Sequence, residues 1–258
     1  MDAHIELNRK KHNLYLILSL FFLTNALLAE AIGPKIFSFD KVWGQWFGNP
    51  KFFLETFGIS LNLSAGVILW PIVFITTDII NHYFGRKGVR KITFITLALL
   101  IFAFLAFYLS AYAPPADFWL EANQKDDQGN PLNINYAYKL IYTQGMNIII
   151  GSLIAFVLGQ LLDATVYYYI RRLTKERFIW FRATISTVFS QLIDSYLILM
   201  IAFYWLSNWK LEQVIAVGTV QFIFKMIIAV LLIPFLYLAH YFIDKALKVE
   251  LLPDEVKA

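Results

Sequence analysis

The chain has no cysteine. That excludes disulfides, thiolate metal sites and a cysteine nucleophile, and leaves the compartment undetermined. Histidine is scarce: His4, His12, His82 and His240 stand far apart, with no H-E-x-x-H pattern to hold zinc. No G-x-x-x-x-G-K-[ST] phosphate loop occurs, so ATP dependence would require a separate ATPase subunit. Charge is thin too, at 16% of residues, while 59% are hydrophobic. Soluble domains are nearer roughly 45–50% apolar. Long apolar runs recur along the chain, and its mean hydropathy is +0.60. These features define an all-α polytopic membrane protein, a single transmembrane domain over 1–258. The net charge of +4 arises from its loops and gives no reason to expect a nucleic-acid partner.

Six spans are expected, at about 13–32, 59–84, 92–112, 146–170, 184–205 and 214–242, with outer loops at 33–57 and 113–144. The first follows a polar arm carrying Arg9, Lys10 and Lys11. Its end, Ala29-Glu30-Ala31, also resembles a signal-peptidase site, although the apolar stretch is long for a signal peptide. Pro71 falls within the second span, where it predicts a kink. The 33–57 stretch, with Trp43 and Trp46, reads as an interfacial loop or re-entrant piece. The third span has no ionisable residue and reads as scaffold. Fifteen of the 22 Lys and Arg fall in the N-terminal arm, the 85–91 turn, the 171–182 turn and the tail. The positive-inside rule then puts both termini in the cytoplasm.

Polar groups inside apolar segments are costly in a bilayer and mark functional sites by default. Gly159-Gln160-Leu161-Leu162-Asp163 returns as Ser190-Gln191-Leu192-Ile193-Asp194, so each of two spans places a Gln and an Asp on one helix face. Asp78 and Asn81 lie in the second span, and Lys225, with Gln221 one turn before it, in the sixth. At a rise of ~1.5 Å per residue, Asp78 and Asp163 each lie about 12 Å from the nearest arginine of the basic turns, and Asp194 about 18 Å. The acids therefore share a depth and can converge. Asp163, Asp194, Gln160 and Gln191 read as a solute or proton site, or as helix–helix glue. Lys225 reads as a counter-ion or a ligand, and His82 as a relay or an inert interfacial residue. Trp70 and Phe74 precede Asp78 on a face that could stack a flat ring, and also suit packing. Carboxylates accept paired N–H donors of a guanine-type edge, and glutamine both donates and accepts. The residues alone do not select purines over other planar polar solutes.

Thr77-Asp78…Gly85, Gln160-Leu161-Leu162-Asp163, Arg171-Arg172-Leu173-Thr174, Trp180-Phe181-Arg182 and Ser186-Thr187…Ser190-Gln191-Leu192-Ile193-Asp194-Ser195 combine order, spacing and topology. In these the chain resembles the queuosine precursor transporter family, also called the vitamin uptake transporter family. The likeness covers residues 59–245 and is densest over 159–203. It implies a six-helix fold similar to the substrate-binding subunits of energy-coupling-factor transporters. It also implies uptake of 7-deazaguanine bases (preQ0, preQ1 or queuine) across the bacterial inner membrane. Many members have an acid where His82 stands, so no role of that acid is carried over.

The expected protein is thus not an enzyme. It binds a small nucleobase analogue within membrane lipid, with no cofactor or metal, and a homo-oligomer is compatible with the sequence. The expected site comprises Asp163, Asp194, Gln160, Gln191, Asp78, Asn81, Trp70 and Phe74, with Lys225 and Gln221 for charge balance. Three rivals stand beside it: a binding subunit that needs an ATPase partner, an importer of another vitamin-like solute, and an intramembrane aspartyl enzyme using Asp163 and Asp194. The last lacks the usual glycine-rich context around its second aspartate.

Overall fold

The computed structural model describes residues 2–51, 55, 61–143, 146–173, 188–189, 191–193, 195–205 and 209–247. Helix α1 (Asp2–Ile32) runs unbroken through the polar arm and the first apolar run. Its polar start is steadied by an ion pair between Glu6 and Lys10 at 2.9 Å. Phe22, Ala26 and Ala29 are fully or almost fully buried, so removal of α1 at a signal-peptidase site would strip the core.

The 33–57 stretch is more ordered than a loop. Strand β1 (Ile36–Ser38) pairs antiparallel with β2 (Asn62–Ser64), Phe37 opposite Leu63. Helix α2 (Phe39–Phe47) follows at once, capped by the Ser38 hydroxyl and stopped at Gly48, whose φ is 80°. The buried Asp40 carboxylate accepts the backbone N–H of Leu61 at 2.8 Å and ties helix to ribbon. Ser64 donates its hydroxyl to the Gly33 carbonyl at 2.6 Å, seating the ribbon on the end of α1. The approach is tight: a β-carbon on Gly66 would stand 2.6 Å from the Ala29 carbonyl oxygen.

The second span begins later than expected. Residues 61–68 form β2 and a 3₁₀ turn, and helix α3 (Trp70–Tyr112) starts beside Pro71. Pro71 therefore starts the helix and does not kink it, because no hydrogen bond is required of an N–H in the first turn. The basic turn at 85–91 shrinks to one residue, Gly85, at φ 65° and ψ −177°. That conformation is essentially reserved for glycine. The chain doubles back there: a β-carbon on Gly88 would lie 3.6 Å from Ile80 Cγ2. In a straight helix residues eight apart are separated by about 12 Å. The two limbs, 70–84 and 86–112, thus form a hairpin. A straight α3 would be about 65 Å long, twice a bilayer core.

The 113–144 loop holds two short helices, α4 (Asp117–Ala122) and α5 (Ile134–Thr143). The latter docks on α3 through Tyr138 and Ser110, whose hydroxyls lie 2.6 Å apart. Between them, bonds from the side chain and backbone of Asn130 and from the backbone of Gln128 hold the exposed Asp126 carboxyl below its ordinary range. Helix α6 (Met146–Leu173) is the fourth expected span and α7 (Leu211–Leu247), with Pro234 inside it, the sixth. Of the fifth expected span, 184–187, 190 and 194 lie outside the described residues; its end, Met200–Trp205, is π-helical.

Ile5–Ile32, Trp70–Tyr112, Gly151–Ile170 and Leu211–Leu247 are long and apolar enough to cross a membrane. The chain is therefore a multi-pass α-helical membrane protein. The core joins α1, both limbs of α3 and α6 through Phe22, Val73, Ile80, Val89, Leu100 and Phe156. Leu99, Phe102, Leu105 and Leu109 on α3, and Ile223, Ile227 and Leu231 on α7, point outward. Lipid tails are as apolar as leucine, so close packing of small residues such as Ala26 and Ala164, and polar links between helices, hold the bundle together.

Candidate functional site

Two helices carry the buried polar layer. The first limb of α3 supplies Thr77 and Asp78 and, one turn on, Asn81, and α6 supplies Gln160 and Asp163. None of these five is more than 5% exposed. The Thr77–Gln160 and Asn81–Ala164 contacts bracket Asp78 and Asp163 and bring both carboxylates to one level of the α3–α6 contact. The Thr77 hydroxyl lies 2.8 Å from Gln160 Oε1 and 3.0 Å from the Val73 carbonyl, sharing its proton between them. Asn81 Nδ2 donates to the Ala164 carbonyl at 3.2 Å and pins α6 to α3. One donor of Asn81 is thus committed to helix packing.

The sealed layer is not self-satisfied. Asp78 Oδ1, Gln160 Nε2, both polar atoms of Gln191 and the Ser195 hydroxyl are buried with no hydrogen-bond partner among the described residues. A buried polar group left unpaired costs about 1–3 kcal/mol, so four such side chains mark a surface shaped for something else. The set offers acceptors at Asp78 and Gln191 and donors at Gln160 and Gln191, with a hydroxyl that can do either. Two carboxylates at one level likewise favour a ligand rich in donors.

The other expected residues are spread more widely. Asp194 lies outside the described residues, while Gln191 and Ser195 on either side of it are buried. Trp70 and Phe74 are half-buried with ring centroids 6.0 Å apart, and Trp70 also lies 5.9 Å from Phe156 of the core. Gln221 and Lys225 sit toward the start of α7, where neighbouring Phe224 packs 5.9 Å from Phe39 of α2. Lys225 stands about 22 Å along the helix from His240, which is level with the first limb of α3.

Sequence reasoning missed Thr77, Ser195, Glu30 and the surroundings of His82. Thr77 and Ser195 adjoin aspartates the sequence singled out, a signal that could have found them. Glu30, at the end of the first span, is 6% exposed and accepts the Ser152 hydroxyl at 2.6 Å. The rings of His82 and His240 stack edge-on, 4.5 Å apart, with Tyr83 and Tyr167 beside them. Nothing in one sequence signals that residues 82 and 240 meet. Among the described residues no three His, Asp or Glu side chains gather as a metal site requires.

Membrane-length helices enclosing a sealed, unsatisfied polar layer make this a solute-handling membrane protein. The model of the family described as "Putative vitamin uptake transporter" matches residues 64–239, and the chain belongs to that family. It is similar to proteins named "Probable queuosine precursor transporter" in Bacillus subtilis and Haemophilus influenzae. The first is 27% identical over 72% of this chain and 74% of the relative, the second 27% over 67% and 66%. It is also 28% identical to the "Queuosine precursor transporter" of Escherichia coli, over 67% of this chain and 70% of that protein. No solved structure matches the chain.

Proposed function

We propose that this protein imports queuosine precursors, 7-deazaguanine bases of the preQ0, preQ1 or queuine kind, across the bacterial inner membrane. The observation that carries this reading is the set of unpartnered polar atoms on Asp78, Gln160, Gln191 and Ser195, sealed where two carboxylates converge. A guanine-type edge presents an N–H and an amino group side by side, which a carboxylate accepts in parallel. Glutamine matches the neighbouring carbonyl and ring nitrogen. The names of the relatives supply the solute class, and the site chemistry agrees with it.

In this reading six helices cross the bilayer, each limb of α3 making one crossing, and both termini lie with the basic residues in the cytoplasm. Asp78, Asp163, Gln160 and Gln191 hold the base, joined by Asp194. Asn81 fixes the α3–α6 contact, and Trp70 and Phe74 line the approach. Lys225 and Gln221 contribute charge balance from α7. The protein moves the base unchanged, and no chemical step is assigned to it.

The test is queuosine in transfer RNA, in a bacterium that cannot make the precursors and lacks its own importer. Expression of this chain with one base at nanomolar supply should restore the modification and identify the solute. Failure with every base, although the protein reaches the membrane, would sink the reading in favour of another solute or a missing ATPase subunit.

A further inference from the structure

Five titratable side chains outside the proposed binding set meet at the basic end of the bundle. His82 and Tyr83 come from α3, Tyr167 from α6, and His240 and Asp244 from α7. They form a connected row. The Tyr83 hydroxyl donates to Asp244 Oδ1 at 2.5 Å, and His240 Nδ1 lies 3.0 Å from the same hydroxyl. With the phenol proton directed at Asp244, His240 Nδ1 is the donor to the phenol oxygen. The His240 ring faces that of His82 at 4.5 Å, and His82 Nδ1 lies 3.4 Å from the Tyr167 hydroxyl. Asp244, at one end, is half-exposed; His240 and Tyr167 are buried.

The other end of the row lies one helical turn from the carboxylate layer. His82 is one helical turn from Asp78 and Tyr167 one turn from Asp163, a rise of about 6 Å in each case. Ile79, Leu236, Leu18 and Ile243 pack around the crossing of α3 and α7. Arg86, the first residue past the Gly85 reversal, lies 5.5 Å over the Tyr168 ring, one residue past Tyr167. Helix–helix adhesion needs a single polar pair. Two imidazoles, two phenols and a carboxylate in series are a costly way to obtain it. Imidazole is the side chain that changes charge near neutral pH, and relay is its recurrent use.

Resting on the import reading above, we propose that uptake is driven by protons, and that Asp244, Tyr83, His240, His82 and Tyr167 carry them between the carboxylate layer and the basic end. Each member takes one proton as it passes one on. A proton that enters the layer with the base leaves at Asp244; each imidazole is then left protonated on its opposite nitrogen, and reorientation of the rings and hydroxyls resets the row before the next proton passes.

The test uses the full-length protein in proteoliposomes with tritiated queuine, 7-cyano-7-deazaguanine and 7-aminomethyl-7-deazaguanine, each in turn. Exchange is measured at equal pH on both faces, and net accumulation under an inward proton gradient. His240→Gln and Tyr83→Phe, both outside the binding set, should each cut gradient-driven accumulation by about a hundredfold, the lower end of what a lost proton-transfer group costs. Exchange should stay within about twofold of the parent, since no group that holds the base is altered. Parent protein that exchanges a base yet ignores the gradient would overturn the relay and leave the import reading standing. Absence of exchange for all three bases would remove the import reading, and the relay with it. Variants that keep full gradient-driven accumulation, or that lose exchange and accumulation equally, would also overturn the relay.

Discussion

The two limbs of α3 are continuous in sequence and joined by one residue, yet they serve opposite ends. The 70–84 limb buries Thr76, Thr77, Asp78 and Asn81. The 86–112 limb buries Thr93 and Thr96 among Ile92, Leu100 and Phe104, and turns Phe102, Leu105 and Leu109 outward. The Thr93 hydroxyl donates to the Val89 carbonyl one turn back, so it satisfies itself within its own helix. On the first limb polar groups reach across to α6 and α7. A membrane helix tolerates polar atoms in both ways, and only the second kind organises a site.

The contrast breaks most sharply at the carboxylates. Asp163→Asn or Asp78→Asn should lower restoration of queuosine roughly 30-fold, the loss of one charge-assisted hydrogen bond at about 1.5–3 kcal/mol. Thr93→Val should leave it unchanged. Equal effects from the two limbs would mean that Asp78 is glue. Gly85→Ala comes next: the region near φ 65° and ψ −177° is closed to alanine, and about 1–3 kcal/mol of stability should be lost. A thermal melt in detergent would show it, and no shift would mean that the hairpin tolerates another turn.

Gln191→Leu sharpens the comparison from the side of the site. Its amide has no partner among the described residues, so the variant should lose about fivefold in affinity for the base while the protein melts no lower, one neutral hydrogen bond being about 1 kcal/mol. Destabilisation instead would identify Gln191 as interhelical glue. The smallest effect is expected at Thr96, whose buried hydroxyl is also unpartnered but stands on the scaffold limb. Thr96→Val should raise stability by up to about 1 kcal/mol and leave uptake unaltered.

Much of this was legible in the chain. Asp78, Gln160 and Asp163 stood out because carboxylates and amides are conspicuous inside apolar runs, and helical rise placed them at one depth. Pro71 was misread because proline in an apolar run looks the same in a first turn as in a helix middle. What sets the helix start at Trp70 is the pairing of β2 with β1, a contact across more than twenty residues of chain. The ribbon was invisible for the same reason, its strands being three residues each. The 85–91 turn read as a loop because of its charges, whereas a single glycine dihedral makes the reversal. The pairing of His82 with His240 depends on which faces of α3 and α7 meet, and periodicity within either helix carries no information about that.

Gly85 also bears on how the protein enters its membrane. A first limb that buries an aspartate, an asparagine and two threonines is poorly suited to wait alone in lipid. A reversal completed within one residue delivers the apolar second limb directly against it. The pair can then leave the insertion machinery as one unit, with Arg86, Lys87, Arg90 and Lys91 acting as the clasp that stays behind at the surface.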